Sequence, residues 1–219
     1  MSETEPTGLR QKILDGLERL ALVMRADARR SAAPLGINAA QDGILRLLRA
    51  RPEGLRVQAL AEHLSVRQPT VTDSLAALER KGFVHRLVDP ADGRATIVKA
   101  AHDALPKANA AVSMHTAAVV AELSEGEQTS LLKTLIKLIR SLQLRNAIPP
   151  QHMCVTCKYF CPNMHPDERA PHHCAFVDGS FGDRALRLDC ADYEEAGASV
   201  AARNWKTFVA TGAPQEPRT

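Results

Sequence analysis

Residues 154–174, CVTCKYFCPNMHPDERAPHHC, hold four of the chain's five cysteines and three of its eight histidines. Thiols at this density pair as disulfides, ligate a metal or metal–sulfur cluster, or exchange electrons. Cys154 and Cys157 are separated by two residues, a spacing at which adjacent backbone turns present both thiolates to one ion. Cys174 and Cys190 extend the pattern to C-x2-C-x16-C-x15-C, a four-thiolate set. Cys161 stands outside it as an alternative ligand, a thiol able to pair with Cys157 on oxidation, or a bystander. His172 and His173 adjoin Cys174, where they either replace a thiolate, stay outside the ligand shell, or are ordinary loop histidines. Apolar residues are few here, mainly Tyr159, Phe160, Phe176, Val177, Phe181, Leu186 and Leu188, so the segment needs a staple, which a metal supplies. Structural zinc and an iron–sulfur cluster that senses redox state both suit four thiolates; among clusters, [4Fe-4S] is favoured over [2Fe-2S].

The elements that must carry this segment follow from composition and patterning. A chain of 219 residues, 45% hydrophobic and 24% charged, can build one large domain or two smaller ones with real cores. No segment reaches the roughly 18 apolar residues of a membrane helix, and the start, MSETEPTGLR, is polar, so a cytoplasmic protein with no membrane partner is expected. Thiols are kept reduced there, which favours metal or redox chemistry over disulfides. Residues 1–150 carry 21 Lys and Arg against 16 Asp and Glu, and residues 151–219 carry 7 against 9, so only the front part is basic enough to invite a nucleic-acid partner.

Leu9, Ile13, Leu17, Leu20 and Met24 recur at helical spacing within residues 8–30. Pro34 and Gly36 break that helix, and Asn38 is positioned to cap a second one carrying Ile44, Leu45, Leu47 and Leu48. VQALAEHL then shows Val57, Leu60, Ala61 and Leu64 on one face. QPTVTDSLAALERKG begins with Pro69 in the first turn, ends at Gly82, and buries Val71, Leu75 and Leu78. Gln68, Thr70, Thr72 and Asp73 are left outward at its start, the layout of a helix-turn-helix. FVHRLVD and ATIVKA, joined by PADGR, read as a hairpin following the second helix, with Arg94 at the tip for a minor groove and Asp92 beside it to hold the guanidinium. Residues 101–121 are helical in character with Pro106 in the first turn or at a bend. Beyond them, Ser124 and Glu127 stand in capping-box register ahead of a seam of Leu131, Leu135, Leu138 and Leu142, widened by Leu132, Ile136 and Ile139. Such a broad seam calls for a second copy of the chain.

From the first helix to residue 145 the sequence resembles the MarR family of winged helix-turn-helix regulators, most specifically through VQALAEHLSVRQPTVTDSLAALERKGFVHRLVDPADGRATIVKA with its Asp92-x-Arg94 wing tip. The resemblance implies a mainly α fold with a small β-hairpin wing, and a homodimer whose recognition helices enter successive major grooves about 34 Å apart on a near-palindromic operator. Carried over residue by residue, it makes Gln68, Thr70, Thr72 and Asp73 candidates for base contacts, Arg67 for a phosphate and Arg94 for the minor groove. Many relatives carry a basic residue where Asp73 stands, which changes the expected base preference. A small-molecule effector is typical of the family. The expected organisation is a regulator domain at 1–145 (winged-helix core 39–100, dimerisation helices 8–30 and 101–145) and a linker at 146–153. A small irregular cysteine module at 154–195 and a tail at 196–219 follow. The intervals of the four cysteines also resemble those of high-potential iron–sulfur proteins.

The leading expectation is a DNA-binding repressor, not an enzyme, whose metal or iron–sulfur site senses redox state or metal. The alternatives are a regulator with purely structural zinc that answers to a small ligand, a thiol- or metal-dependent enzyme using Cys161 with His165 or His172, and a protein-docking module. The enzyme reading is weakened by the lack of a Gly-rich phosphate loop or H-E-x-x-H sequence.

Overall fold

A computed structural model describes residues 5–64, 66–101 and 114–210, which divide into two compact units, Met1–Leu123 and Ser124–Thr219. The first unit runs α1 (Glu5–Ala32), α2 (Ala39–Arg49), β1 (Leu55–Arg56), α3 (Val57–Leu64), α4 (Gln68–Arg80), β2 (Val84–Asp89), β3 (Asp92–Ala100) and α5 (Met114–Ala121). Asn38 caps α2: its side chain accepts the Gln41 N–H while the Gln41 side chain accepts the Asn38 N–H, so two otherwise orphaned donors are satisfied. Helices α2, α3 and α4 close over Ile44, Leu45, Leu48, Leu60, Val71, Leu75 and Leu78, with Val84 and Val98 contributed by the hairpin. These are the positions set by the helical periodicity.

The sheet is antiparallel in the order β1-β3-β2, so the hairpin gains a third, two-residue strand. Leu55 pairs with Val98 across a sequence separation that no local pattern reveals. Gly54 makes this approach possible: its φ is +88°, and a Cβ there would lie 2.8 Å from the Val98 carbonyl oxygen. Along α1, Leu9, Ile13, Leu17, Leu20 and Met24 remain 40–65% exposed. Near the end of that helix the buried Asp27 accepts from Arg30, from His115 Nδ1 (3.1 Å) and from Thr116 N and Oγ1 (3.2 and 3.0 Å), which joins α1 to α5. The expected effect of Pro106 lies outside the described residues.

The second unit holds α6 (Glu125–Leu144), β4 (Phe160–Cys161), β5 (His172–Cys174), β6 (Gly179–Phe181) and α7 (Ala198–Ala210). Ser124 and Glu127 form the capping box expected at the start of α6. The observed units differ from the expected boundaries. The chain divides at 123/124 rather than 145, because Leu132, Ile136 and Ile139 of α6 pack into the core of the cysteine module. The junction 146–153 is anchored at its end, where Met153 is fully buried in that core. The module is small and largely irregular, as expected, around a short antiparallel sheet of β4, β5 and β6. The tail is part of the same body, with Phe208 of α7 buried and Asn204 Nδ2 donating to the Phe160 carbonyl at 2.6 Å.

Candidate nucleic-acid interface and thiolate site

Helix α4 starts after Arg67, whose backbone is extended and whose side chain makes no cap. Gln68, Thr70, Thr72 and Asp73 are all exposed, while Val71 and Leu75 between and beyond them are buried, so the polar side chains project from the outer face of the helix start. The Thr72 hydroxyl donates back to the Gln68 carbonyl at 3.0 Å, which leaves its lone pairs and methyl group for a neighbour. Arg67 is exposed as well, and a cation at this edge of the helix suits a phosphate.

The wing tip departs from expectation in one detail. Asp92 does not hold the Arg94 guanidinium; its carboxylate accepts the Arg94 backbone N–H at 3.2 Å and lies 3.7 Å from Arg56. Asp92 thus fixes the turn rather than the side chain, and Arg94 is exposed with no ion pair among the described residues. Arg56, unmarked by any sequence signal, anchors the wing through Asp89 at 2.6 Å. The Ala91 N–H and the Arg56 guanidinium hold the Asp89 carboxyl below its ordinary value. The resulting surface carries donors and acceptors on a helix start and a cation on a hairpin tip, the chemistry needed to read base edges and follow a phosphate backbone.

In the second unit Cys154, Cys157, Cys174 and Cys190 line one cavity of about 180 Å³, with aromatic walls that include Tyr159, Phe160, Phe176 and Phe181. Burial pushes the Cys154 thiol up, the Arg187 N–H opposes this, and the nearby Cys190, Cys157 and Cys174 push it further up. Arg187 donates twice: its N–H to Cys154 Sγ at 3.3 Å and its Nη1 to Cys190 Sγ at 3.4 Å.

The donor set of four thiols around one cavity suits a metal group. A single zinc at about 2.3 Å from four thiolates brings the sulfurs to about 3.8 Å from one another. Among the described residues no three cysteine sulfurs lie mutually within 4.8 Å. A four-iron cluster, which takes one thiolate at each of four separate irons, needs the wider arrangement and a cavity of several atoms' volume.

The other candidate ligands are directed elsewhere. Cys161 lines a separate hollow beside Lys158, Arg203 and Asn204. His172 is buried: its Nε2 faces Asp183 Oδ1 at 2.9 Å and its Nδ1 accepts the Asn163 N–H at 3.2 Å, which occupies both nitrogens. His173 faces His165 at 3.2 Å and Asp178 at 3.4 Å. None of the three borders the four-cysteine cavity. Sequence reasoning missed the chain Lys133–Asp183–His172, in which Lys133 Nζ donates to Asp183 Oδ2 at 2.8 Å and ties α6 to the strand that carries Cys174. Burial depresses His172 in spite of Asp183, while hydrogen bonds from Lys133 and His172 outweigh burial and hold Asp183 low.

Comparison with known proteins bears on the first unit, where residues 37–96 match the model of the MarR family. That stretch, from the start of the second helix to the wing, is similar to the winged helix of the MarR family. The transcriptional repressor CouR, solved bound to a 23-mer DNA duplex, is 25% identical with a TM-score of 0.50 over 63% of this chain and 99% of CouR. A MarR transcriptional regulator from Methanosarcina mazei Go1 has a TM-score of 0.52 at 18% identity over 61% of this chain and 99% of its own, a likeness of fold. MepR, a transcription regulator of the Staphylococcus aureus multidrug efflux pump MepA, is 27% identical over 58% of this chain and 96% of its own, with a TM-score of 0.46. No curated protein matches the sequence. Among the described residues no helix is long and apolar enough to cross a membrane.

Proposed function

We propose that the chain is a transcriptional repressor that binds a near-palindromic DNA site as a homodimer, and that Cys154, Cys157, Cys174 and Cys190 hold a [4Fe-4S] cluster whose state sets its DNA affinity. One observation carries the DNA-binding reading: the exposed Gln68, Thr70, Thr72 and Asp73 at the start of α4 stand in a winged helix that matches the MarR family model, with the exposed Arg94 at the wing tip. CouR, which shares the fold and a quarter of its residues, is a repressor solved on DNA, and this supports the same partner here. The apolar stripe of α1 left exposed on the single chain supports a second copy as its cover.

The cluster reading is supported by four thiols around one cavity, of whose sulfurs no three lie mutually within 4.8 Å among the described residues. Such a cluster supplies a one-electron change and a sensitivity to oxidants. Aromatic residues wall the site, and Phe160 among them shares the module core with α6. That helix gives Leu132, Ile136 and Ile139 to the module core while Leu131, Leu138 and Leu142 stay 41–43% exposed for a partner copy. The state of the thiolate site shifts DNA affinity only as far as it favours one arrangement of α6 over another.

The deciding experiment is purification without oxygen, followed by iron, sulfide and zinc analysis and by selection of DNA from a random pool. Iron with sulfide, and a symmetric selected sequence bound with a steep salt dependence, are expected. Stoichiometric zinc without colour would refute the cluster, and failure to enrich any sequence would refute the repressor.

A further inference from the structure

The cavity has one cationic side chain on its wall, and that side chain hydrogen-bonds a thiol. We propose that Arg187 sets the oxidation–reduction balance of the group bound by the four cysteines by stabilising its more negative, reduced form. This inference rests on the cluster reading above. The geometry is a double contact: the Arg187 N–H on Cys154 Sγ at 3.3 Å and Nη1 on Cys190 Sγ at 3.4 Å, so one residue spans two ligands at opposite ends of the cysteine pattern. Its guanidinium is exposed, which keeps it charged and reachable by substitution at little cost in folding. Asp192 borders the same cavity with the opposite charge.

Reduction adds one electron, taken from an external one-electron donor, and hence one negative charge to the cluster and its four thiolates. A fixed positive charge and a hydrogen bond to sulfur stabilise the form with more negative charge. Removing them favours the oxidised form. The backbone contact to Cys154 survives any replacement except proline, so substitutions of the side chain isolate the Cys190 contact.

The test is a spectroelectrochemical titration of the intact, anaerobically purified protein with mediator dyes, comparing wild type, Arg187→Gln, Arg187→Lys, Asp192→Asn and Arg184→Gln. Iron and sulfide content is measured on each. Arg184 serves as control: it lies in the same module, pairs with Glu125 and does not border the cavity. The expected result is that Arg187→Gln lowers the reduced-to-oxidised ratio at fixed potential about tenfold, or ~59 mV for one electron. Arg187→Lys should fall between, Asp192→Asn should shift the opposite way, and Arg184→Gln should stay near wild type, all with unchanged iron. Equal shifts for Arg184→Gln and Arg187→Gln would overturn the proposal in favour of net charge alone. An iron-loaded Arg187→Gln protein with the wild-type midpoint would overturn it while leaving the cluster intact. A wild-type protein loaded with zinc would overturn both readings.

Discussion

In the winged helix, the centre is formed by Ile44, Leu45, Leu48, Leu60, Leu75 and Leu78, each no more than 1% exposed. Around the thiols, Phe160 packs against His172, Phe181 and Phe208 with ring centroids 5.3–6.1 Å apart, and the chain Lys133–Asp183–His172 runs alongside. Aliphatic burial of the first kind is contributed by periodic helices and scales with area removed from water. The second kind is a short sheet and a cluster of rings beside four cysteines, closed by Leu132, Ile136 and Ile139 of α6 and by Phe208 of α7. One unit is therefore held by periodic aliphatic helices and the other by a mixed core of rings and aliphatics, which under the cluster proposed above would also lean on what its thiolates hold.

The sharpest way to break this contrast is the double replacement Cys154→Ser with Cys157→Ser. It should release the bound metal and abolish hydrogen-exchange protection across β4–β6, with α2–α4 still protected; a module that stays fully protected would show that its rings suffice. Next in size, Leu75→Ala should cost the winged helix about 2–5 kcal/mol, because Leu75 is completely buried, and leave metal content unchanged in elemental analysis. Arg94→Ala leaves both cores untouched and should reduce the slope of log binding constant against log salt by about one, as read by fluorescence anisotropy. Ser124→Ala should remove about 1 kcal/mol from the second unit through loss of the α6 cap, measured by chemical denaturation.

The smallest effect concerns pH. Asp183 is held below its ordinary 3.8 in the folded module, so its contribution is present above that value and is lost as pH falls through the lower folded value. An acid titration followed by near-ultraviolet circular dichroism should show Asp183→Asn unfolding with a shallower dependence below pH 3.8 than wild type.

What the sequence revealed follows the same division. Helices α2–α4 and the hairpin were legible because capping, periodicity and turn residues act within a few positions, and the spacing of the cysteines names the four residues that share the cavity. Strand β1 was not legible, since Leu55 finds Val98 only through Gly54. The role of Asp92 was misread because a carboxylate beside an arginine serves the backbone N–H as readily as the guanidinium. The division at 123/124 was not legible for a different reason: a run of leucines and isoleucines on α6 reads as one broad seam, but supplies two separate faces. Gly182 was equally invisible, although a Cβ there would lie 2.2 Å from the Arg169 carbonyl oxygen and push apart the loop that precedes β5.

The two faces of α6 bear on how the protein can be cut. A chain stopped at residue 150 would retain every residue matched to the MarR family, yet would strip the cover from Leu132, Ile136 and Ile139. The shortened protein would present a new sticky surface, prone to self-association. Weak DNA binding by such a fragment would report clumping and not the loss of a sensor, so single-residue changes at the thiols are the cleaner tool.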